Sequence, residues 1–405
     1  MNWPDELNGK QVLITGGTGF IGGRLVEILK TDYDVNVRVL VSNMANVARI
    51  ARFSVDMIKG DICNPEEVER AVDGCDYVFH CAYGNKGTQE NRRRINIEGT
   101  RNILAASLNH NVKKVIYLST IMVYGDTPNA EIDETAPRKF SGGVYSDTKI
   151  EAENLAFDYH TNKGLPVTIL QPTAVYGPFA PVWSANVIDK LKEGTVMLIN
   201  KGEGLCNGVY IDDVVNAILL AAVNKDAEGK AFIISGNQPV SWKEFYSYYE
   251  NMLGCSSTQD ISEADATVYM ARLRTRKSLL KVLREDKKML SSLLETPFIS
   301  NIRKAAMKIL PQPVLFSINK KLKGNAHAQA TAKKDSGINH KPLKPVHAIS
   351  DADIQFFKTK AHFKIDKAKK VLGYEPRYNF EDGMKLTELW AEAANLLDKN
   401  PQHVK

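Results

Sequence analysis

The chain has little cysteine: Cys63, Cys75, Cys81, Cys206 and Cys255 are all that 405 residues contain. Their spacing matches no metal-ligand pattern, so no metal is expected, and reduced thiols in a cytoplasmic chain are the simple reading. No apolar run reaches the roughly 18 residues that a bilayer-spanning helix needs. No N-terminal stretch resembles a secretory signal, and no repeat of solenoid period is present. Charge is unevenly spread. The net charge is +6, yet residues 256–345 hold 18 Lys and Arg against 7 Asp and Glu, so the rest of the chain is mildly acidic. No recognised nucleic-acid motif accompanies that basic stretch, which argues against a nucleic-acid partner. The hydrophobic fraction of 43% is ordinary for a soluble globular chain with a sizeable core.

Two motifs, far apart, carry the chemistry. The first is TGGTGFIG from Thr15. KQVLIT before it reads as a buried parallel strand, and FIGGRLVEILK after it puts Ile21, Leu25, Ile28 and Leu29 on one helical face. Gly16, Gly17, Gly19 and Gly22 thus fall at a strand-to-helix turn. There, glycine lets backbone N–H groups approach a pyrophosphate at the helix N-terminus. The next strand, VNVRVLVS, ends at Ser42, where an enzyme binding a ribose 2′-hydroxyl usually has Asp or Glu. Without that acid, NAD and NADP are both permitted and NADP is favoured. Arg49 and Arg52 either serve that end of the cofactor or are solvated helix residues.

The second motif is YSDTK, Tyr145 to Lys149. At i and i+4 the phenol and the amine share a helical face. A neighbouring ammonium is expected to lower the phenol's pKa and make Tyr145 a proton-transfer group. Tyr159 and Lys163 repeat the spacing but stand at a helix C-terminus, before the strand GLPVTILQP. A third element, VIYLS, ends in Ser119 and Thr120 at the carboxyl end of a strand, where open α/β sheets bind ligands. A hydroxyl there can hold a substrate oxygen or cap a turn.

With these residues in place the chain resembles the extended short-chain dehydrogenases/reductases of the NAD(P)-dependent epimerase/dehydratase type. The resemblance covers about residues 9–255. It rests on TGGTGFIG, on GDI at Gly60, FHCA at Phe79, NIEGT at Asn96, STIMVYG at Ser119, YSDTK at Tyr145, QPTAVYGP at Gln171 and YIDDVV at Tyr210, and it resumes at FKIDKAKKVLGYEP from Phe363. It implies an α/β fold, a Rossmann-type doubly wound parallel sheet with a smaller C-terminal substrate-binding lobe. It implies cofactor contacts from the glycine loop with Phe20 and Ile21, and from Ser42, Asp61, Ile62, Ala82, Asn96, Ser119, Tyr145, Lys149 and Pro172. The implied catalytic set is Thr120, Tyr145 and Lys149, with Asn96 supporting a proton-relay water. Gln171 departs from the pattern, because many members have Arg before that proline.

The domain organisation expected is a nucleotide-binding domain over 1–178, with 208–236 returning to it, and a substrate lobe over 179–207 and 237–405. Hydride transfer at a carbinol or carbonyl carbon is the expected reaction. A nucleotide-activated or lipid-linked sugar leads as substrate. A 3β-hydroxysteroid-dehydrogenase-like activity on an apolar alcohol, or a catalytically silent NAD(P)-binding regulatory protein, stands as the alternative. The family implies a homodimer through two helices, with Ile103, Leu104, Leu155 and Ala156 as contributors. The basic amphipathic stretch 268–323 is expected to touch anionic membrane surfaces peripherally, or else to be a solvated insertion over the cleft.

Overall fold

A computed structural model describes residues 5–127, 130–271 and 351–397. The chain divides into two compact units, 1–263 with 345–405, and 264–344. Of the second unit only 264–271 are described, and they are helical. Most of the basic stretch, including 272–323 of the expected membrane-contact segment, lies outside the described residues.

The first unit is built on seven parallel strands: β1 (Gln11–Thr15), β2 (Asn36–Val41), β3 (Asp56–Lys59), β4 (Tyr77–His80), β5 (Lys114–Leu118), β6 (Val167–Pro172) and β7 (Lys230–Ile234). Their order across the sheet is β7-β6-β5-β4-β1-β2-β3. The apolar runs that make these strands alternate between two cores, because strand side chains point to opposite faces with period two. Val12 and Ile14 enter one core while Leu13 enters the other, and Phe79 and Val78 divide in the same way. The first core is closed by α1 (Phe20–Thr31), and the second by α2 (Pro65–Val72), α3 (Gln89–Asn109) and α4 (Val144–Lys163). Helix starts follow local chemistry. Asn64 accepts from the N–H groups of Glu66 and Glu67 ahead of α2, and Thr88 accepts from Asn91 N–H ahead of α3.

Three further helices follow: α5 (Asn186–Glu193), α6 (Ile211–Val223) and α7 (Trp242–Leu253). The α6 helix joins α1 on the first face, where Arg24 donates twice to Asp212, at 2.6 and 2.9 Å. α5 and α7 build a third, aromatic core around Trp242, Phe245 and Tyr249. Past the undescribed stretch come α8 (Asp351–Lys358), α9 (Asp366–Leu372) and α10 (Phe380–Ala393). Phe356 of α8 stacks on Trp183, and Met384 of α10 is buried in the aromatic core.

Two expectations need correction. The residues around α9, expected in the substrate lobe, pack on the sheet instead, with Ala368, Leu372 and Tyr374 buried in its first core. Tyr374 donates to the Ser235 carbonyl at 2.9 Å, and Lys367 to that of Ala231 at 2.8 Å, tying this segment to β7. The proposed subunit-contact residues also fail. Ile103, Leu104 and Ala156 are 0% exposed inside the chain's own second core, so they offer no face to a partner. Only Leu155 is half-buried.

Candidate active site

The carboxyl ends of β1, β2, β3 and β4 meet at a groove of about 980 Å³. Its floor is the glycine loop. Gly16 has a φ of +72°, and a side chain there would strike the Cys81–Ala82 backbone. A side chain at Gly22 would collide with the Gly16 carbonyl, so this glycine serves helix-to-loop packing. Gly19 differs: its added carbon meets only the Gly16 oxygen, at 3.1 Å, and otherwise opens into the groove. Gly19 also begins α1 without any side-chain cap, leaving the helix N-terminal N–H groups to a ligand. Open space over an uncapped helix start fits a dinucleotide pyrophosphate. Ser42, Asp61, Ile62 and Ala82 line the same groove.

Other expected cofactor residues serve the fold around it. Phe20 and Ile21 pack against the aromatic core. Pro172 is buried at the end of β6, opposite Ile234, and lines neither this groove nor the adjoining cavity. Asn96 is buried. Its oxygen accepts from Gly84 N–H at 2.7 Å, and its nitrogen donates to the Gly84 carbonyl at 3.3 Å and to Thr148 at 3.4 Å. It thus braces the loop after β4 against α4. Arg49 and Arg52 do not reach the groove as cofactor ligands. Both bind Glu27, at 2.8 and 3.0 Å, and Arg49 also lies 4.3 Å from the Phe179 ring. Only Arg52 keeps much exposure; Arg49 is largely buried, contrary to a solvated helix residue.

Thr120, Tyr145 and Lys149 converge beside the groove. Thr120 accepts from Met122 N–H at 3.3 Å, capping a turn, and its hydroxyl lies close enough to the Tyr145 phenol to act on its pKa. Of the two roles that the sequence left open, the turn cap is the one present. Tyr145 is 40% exposed. Desolvation raises its pKa above the ordinary phenol value, with the Thr120 hydroxyl opposing. Lys149 is buried and donates to the Leu118 carbonyl at 2.6 Å. Burial brings its pKa down to about 8, with Cys81 and Glu153 opposing. The expected lowering of the Tyr145 phenol by Lys149 is not a feature of this arrangement. Tyr159 and Lys163 pair with each other, ring to ammonium at 3.6 Å, about 20 Å further along α4.

Several neighbours were invisible in the sequence. Glu153, one turn past Lys149, is wholly buried between Arg138 at 3.1 Å and Gln171 at 2.8 Å, and Gln171 in turn accepts from Tyr124 at 2.7 Å. The missing arginine at 171 is thus offset by Arg138, a loop residue. The Ser119 hydroxyl is buried close to this carboxylate, without a bond of good geometry. His80 bridges Thr15 at 2.7 Å and Thr100 at 3.0 Å, and burial drives its pKa down to about 3. Cys81 lines the groove as a neutral thiol, burial pushing it up to about 12. Beyond Thr120 and Tyr145 opens a second cavity of about 480 Å³, walled by Ile121, Met122, Trp183, Val187, Tyr246 and Phe356 among others.

A parallel sheet with central order 3-2-1-4-5, a glycine cradle at β1 and a Tyr/Lys pair on the crossover helix after β5 define a nicotinamide-dinucleotide enzyme. The chain belongs to the NAD dependent epimerase/dehydratase family, whose sequence model matches residues 12–235. It is an NAD(P)-dependent enzyme of the extended short-chain dehydrogenase/reductase type. It is similar to a 2-alkyl-3-oxoalkanoate reductase of Shewanella oneidensis, 27% identical over 62% of this chain and 67% of that one. A sterol-4-alpha-carboxylate 3-dehydrogenase (decarboxylating) of Mus musculus is 30% identical over 60% and 68%. Among solved structures, UDP-glucose 4-epimerase of Thermotoga maritima superposes with a TM-score of 0.65 at 21% identity, over 95% of this chain and 99% of that one. That likeness establishes the fold. Among the described residues no helix is long and apolar enough to cross a membrane, and no cluster of His, Cys, Asp and Glu could hold a metal.

Proposed function

We propose that the chain catalyses reversible hydride transfer between NAD(P) and the carbinol or carbonyl carbon of an apolar substrate. The observation that carries this is the second cavity. Its wall beside Thr120 and Tyr145 is mostly aliphatic and aromatic, and Lys190 is its one cationic side chain among the described lining residues. A nucleotide sugar would bring a diphosphate to that single cation. A sterol-like or long-chain alcohol instead gains from apolar burial, about 25 cal/mol per Å². The names of the Shewanella and mouse relatives support the same substrate class.

In this reading Thr120 orients the substrate oxygen, and Tyr145 accepts its proton on oxidation and returns it on reduction. Lys149, its amine anchored on the Leu118 carbonyl, holds the cofactor ribose beside Tyr145. When bound, the nicotinamide supplies the hydride acceptor or donor. Ser42, Asn46 and Lys59, which line the far end of the groove, would take the adenosine ribose, and Lys59 would favour a 2′-phosphate.

A panel of 3-hydroxysteroids, long-chain 3-hydroxy and 3-oxo acids and nucleotide sugars, followed by NAD(P)H absorbance, tests the substrate class. Turnover confined to the apolar members is expected. Turnover confined to nucleotide sugars would overturn the reading.

A further inference from the structure

Tyr83 has no part in the family-implied site, yet it sits between both halves of the proton-transfer pair. It follows β4 and lines the cofactor groove. Its ring meets the Tyr145 ring edge-on, with centroids 5.0 Å apart at 87°. The Lys149 ammonium lies 5.4 Å from the centre of the same ring. An edge-to-face pair fixes the tilt of its partner, and an aromatic face attracts a desolvated cation. The loop that carries Tyr83 is itself held by the Asn96–Gly84 hydrogen bonds.

We propose that Tyr83 is a positioning residue of the active site, setting the orientation of the Tyr145 phenol and stabilising the Lys149 ammonium with its ring. This rests on the assignment of Tyr145 and Lys149 as the proton-transfer pair. The Lys149 amine has only one hydrogen bond among the described contacts, to the Leu118 carbonyl. The rings of Tyr83 and Tyr117, at 5.4 and 4.8 Å, face the same ammonium. The titratable groups around it are Tyr145 and Glu153 on its own helix, Tyr117 on β5, and His80, Cys81 and Tyr83 at the end of β4. His80 near 3 and Cys81 and Tyr83 near 12 titrate far from neutrality, so they do not mask Lys149 near 8.

The test is 15N NMR of side-chain-labelled lysine across pH, on the full chain, with the Lys149 resonance assigned through Lys149→Arg. Removing an aromatic face disfavours the charged amine, so Tyr83→Leu should move the Lys149 titration down by about half to one pH unit, Tyr117 limiting the shift. Tyr83→Phe keeps the ring and should restore the native titration. On the substrate found by the panel, Tyr83→Leu should lower kcat about tenfold or more with little change in KM. A Tyr83→Leu protein that melts like the native one but titrates Lys149 at the native pH would overturn the proposal. Because the resonance needs no substrate, this failure is separate from that of the substrate assignment. That assignment fails only in the panel, and the pair itself fails if Tyr145→Phe turns over normally.

Discussion

At the scale of single residues, two side chains of the proposed chemistry fail in different ways, and a tyrosine outside it serves as the control. Tyr145→Phe removes one oxygen from a ring whose packing on Tyr83 is kept. Cofactor affinity should persist while turnover falls by about 100-fold or more, the range of a lost general acid/base. Lys149→Ala should weaken both, because it removes a buried cation beside the ring of Tyr145's neighbour and leaves the Leu118 carbonyl without its donor. Tyr159→Phe, at the far end of α4, should leave kcat unchanged. Steady-state kinetics with fluorescence titration of NADPH separates the three; an inactive Tyr159→Phe would mean that the wrong tyrosine had been chosen.

At the scale of elements, the glycine loop shows what the sequence could and could not convey. Strand, turn and helix are contiguous there, so the motif reports its own geometry. The structure adds that the glycines are not equivalent. Gly22 is bare because the loop backbone occupies its side-chain space, whereas Gly19 faces an open groove. Gly22→Ala should therefore lower the melting temperature, costing about 1–3 kcal/mol as for overpacking. Gly19→Val should keep the native melt and abolish cofactor binding. Calorimetry should also find NADP bound at least as tightly as NAD by the unaltered chain. A strong NAD preference would show that Lys59 and Ser42 do not define the 2′-end of the site. Other features were illegible because they join distant segments. Arg49 resembled a surface residue because its partner Glu27 lies 22 positions earlier, in another element. Tyr83, Arg138 and Phe356 carry no motif, and only the fold brings them beside residues 145–153 and the second cavity. The helix Asp366–Leu372 matched a family segment in sequence, but its docking on β7 depends on Lys367 and Tyr374 reaching that strand's backbone and the turn after it.

At the scale of the whole molecule, one buried imidazole ties the central strands to the helix layer beside the cofactor site. His80 stands at the end of the central strand β4, its two nitrogens taken by hydroxyls of β1 and α3. Burial holds it neutral and lowers its pKa from 6.5 to about 3. An unfolded chain binds a proton there near 6.5, while the folded one does not until about 3. The stabilisation is therefore fully present above about pH 6.5 and is lost as pH falls toward 3. Asp213 acts in the opposite sense. It accepts from the Arg377 and Tyr378 N–H groups, but burial raises its pKa from 3.8 to about 6. Its charge costs stability as pH rises from about 4 through 6, and acidification in that window recovers part of what His80 loses. The net slope between pH 6 and 4 should be shallow in the native chain. Asp213→Asn removes the recovery, so its denaturant midpoint should fall more steeply on acidification than the native one. His80→Gln removes the loss, so its midpoint should hold or rise toward pH 4. Guanidinium titrations followed by tryptophan fluorescence at about pH 7.5, 6 and 4 give the three slopes. Parallel slopes for native and His80→Gln proteins would mean that the imidazole is not held neutral in the folded chain, and that the bridge from Thr15 to Thr100 is looser than its distances imply.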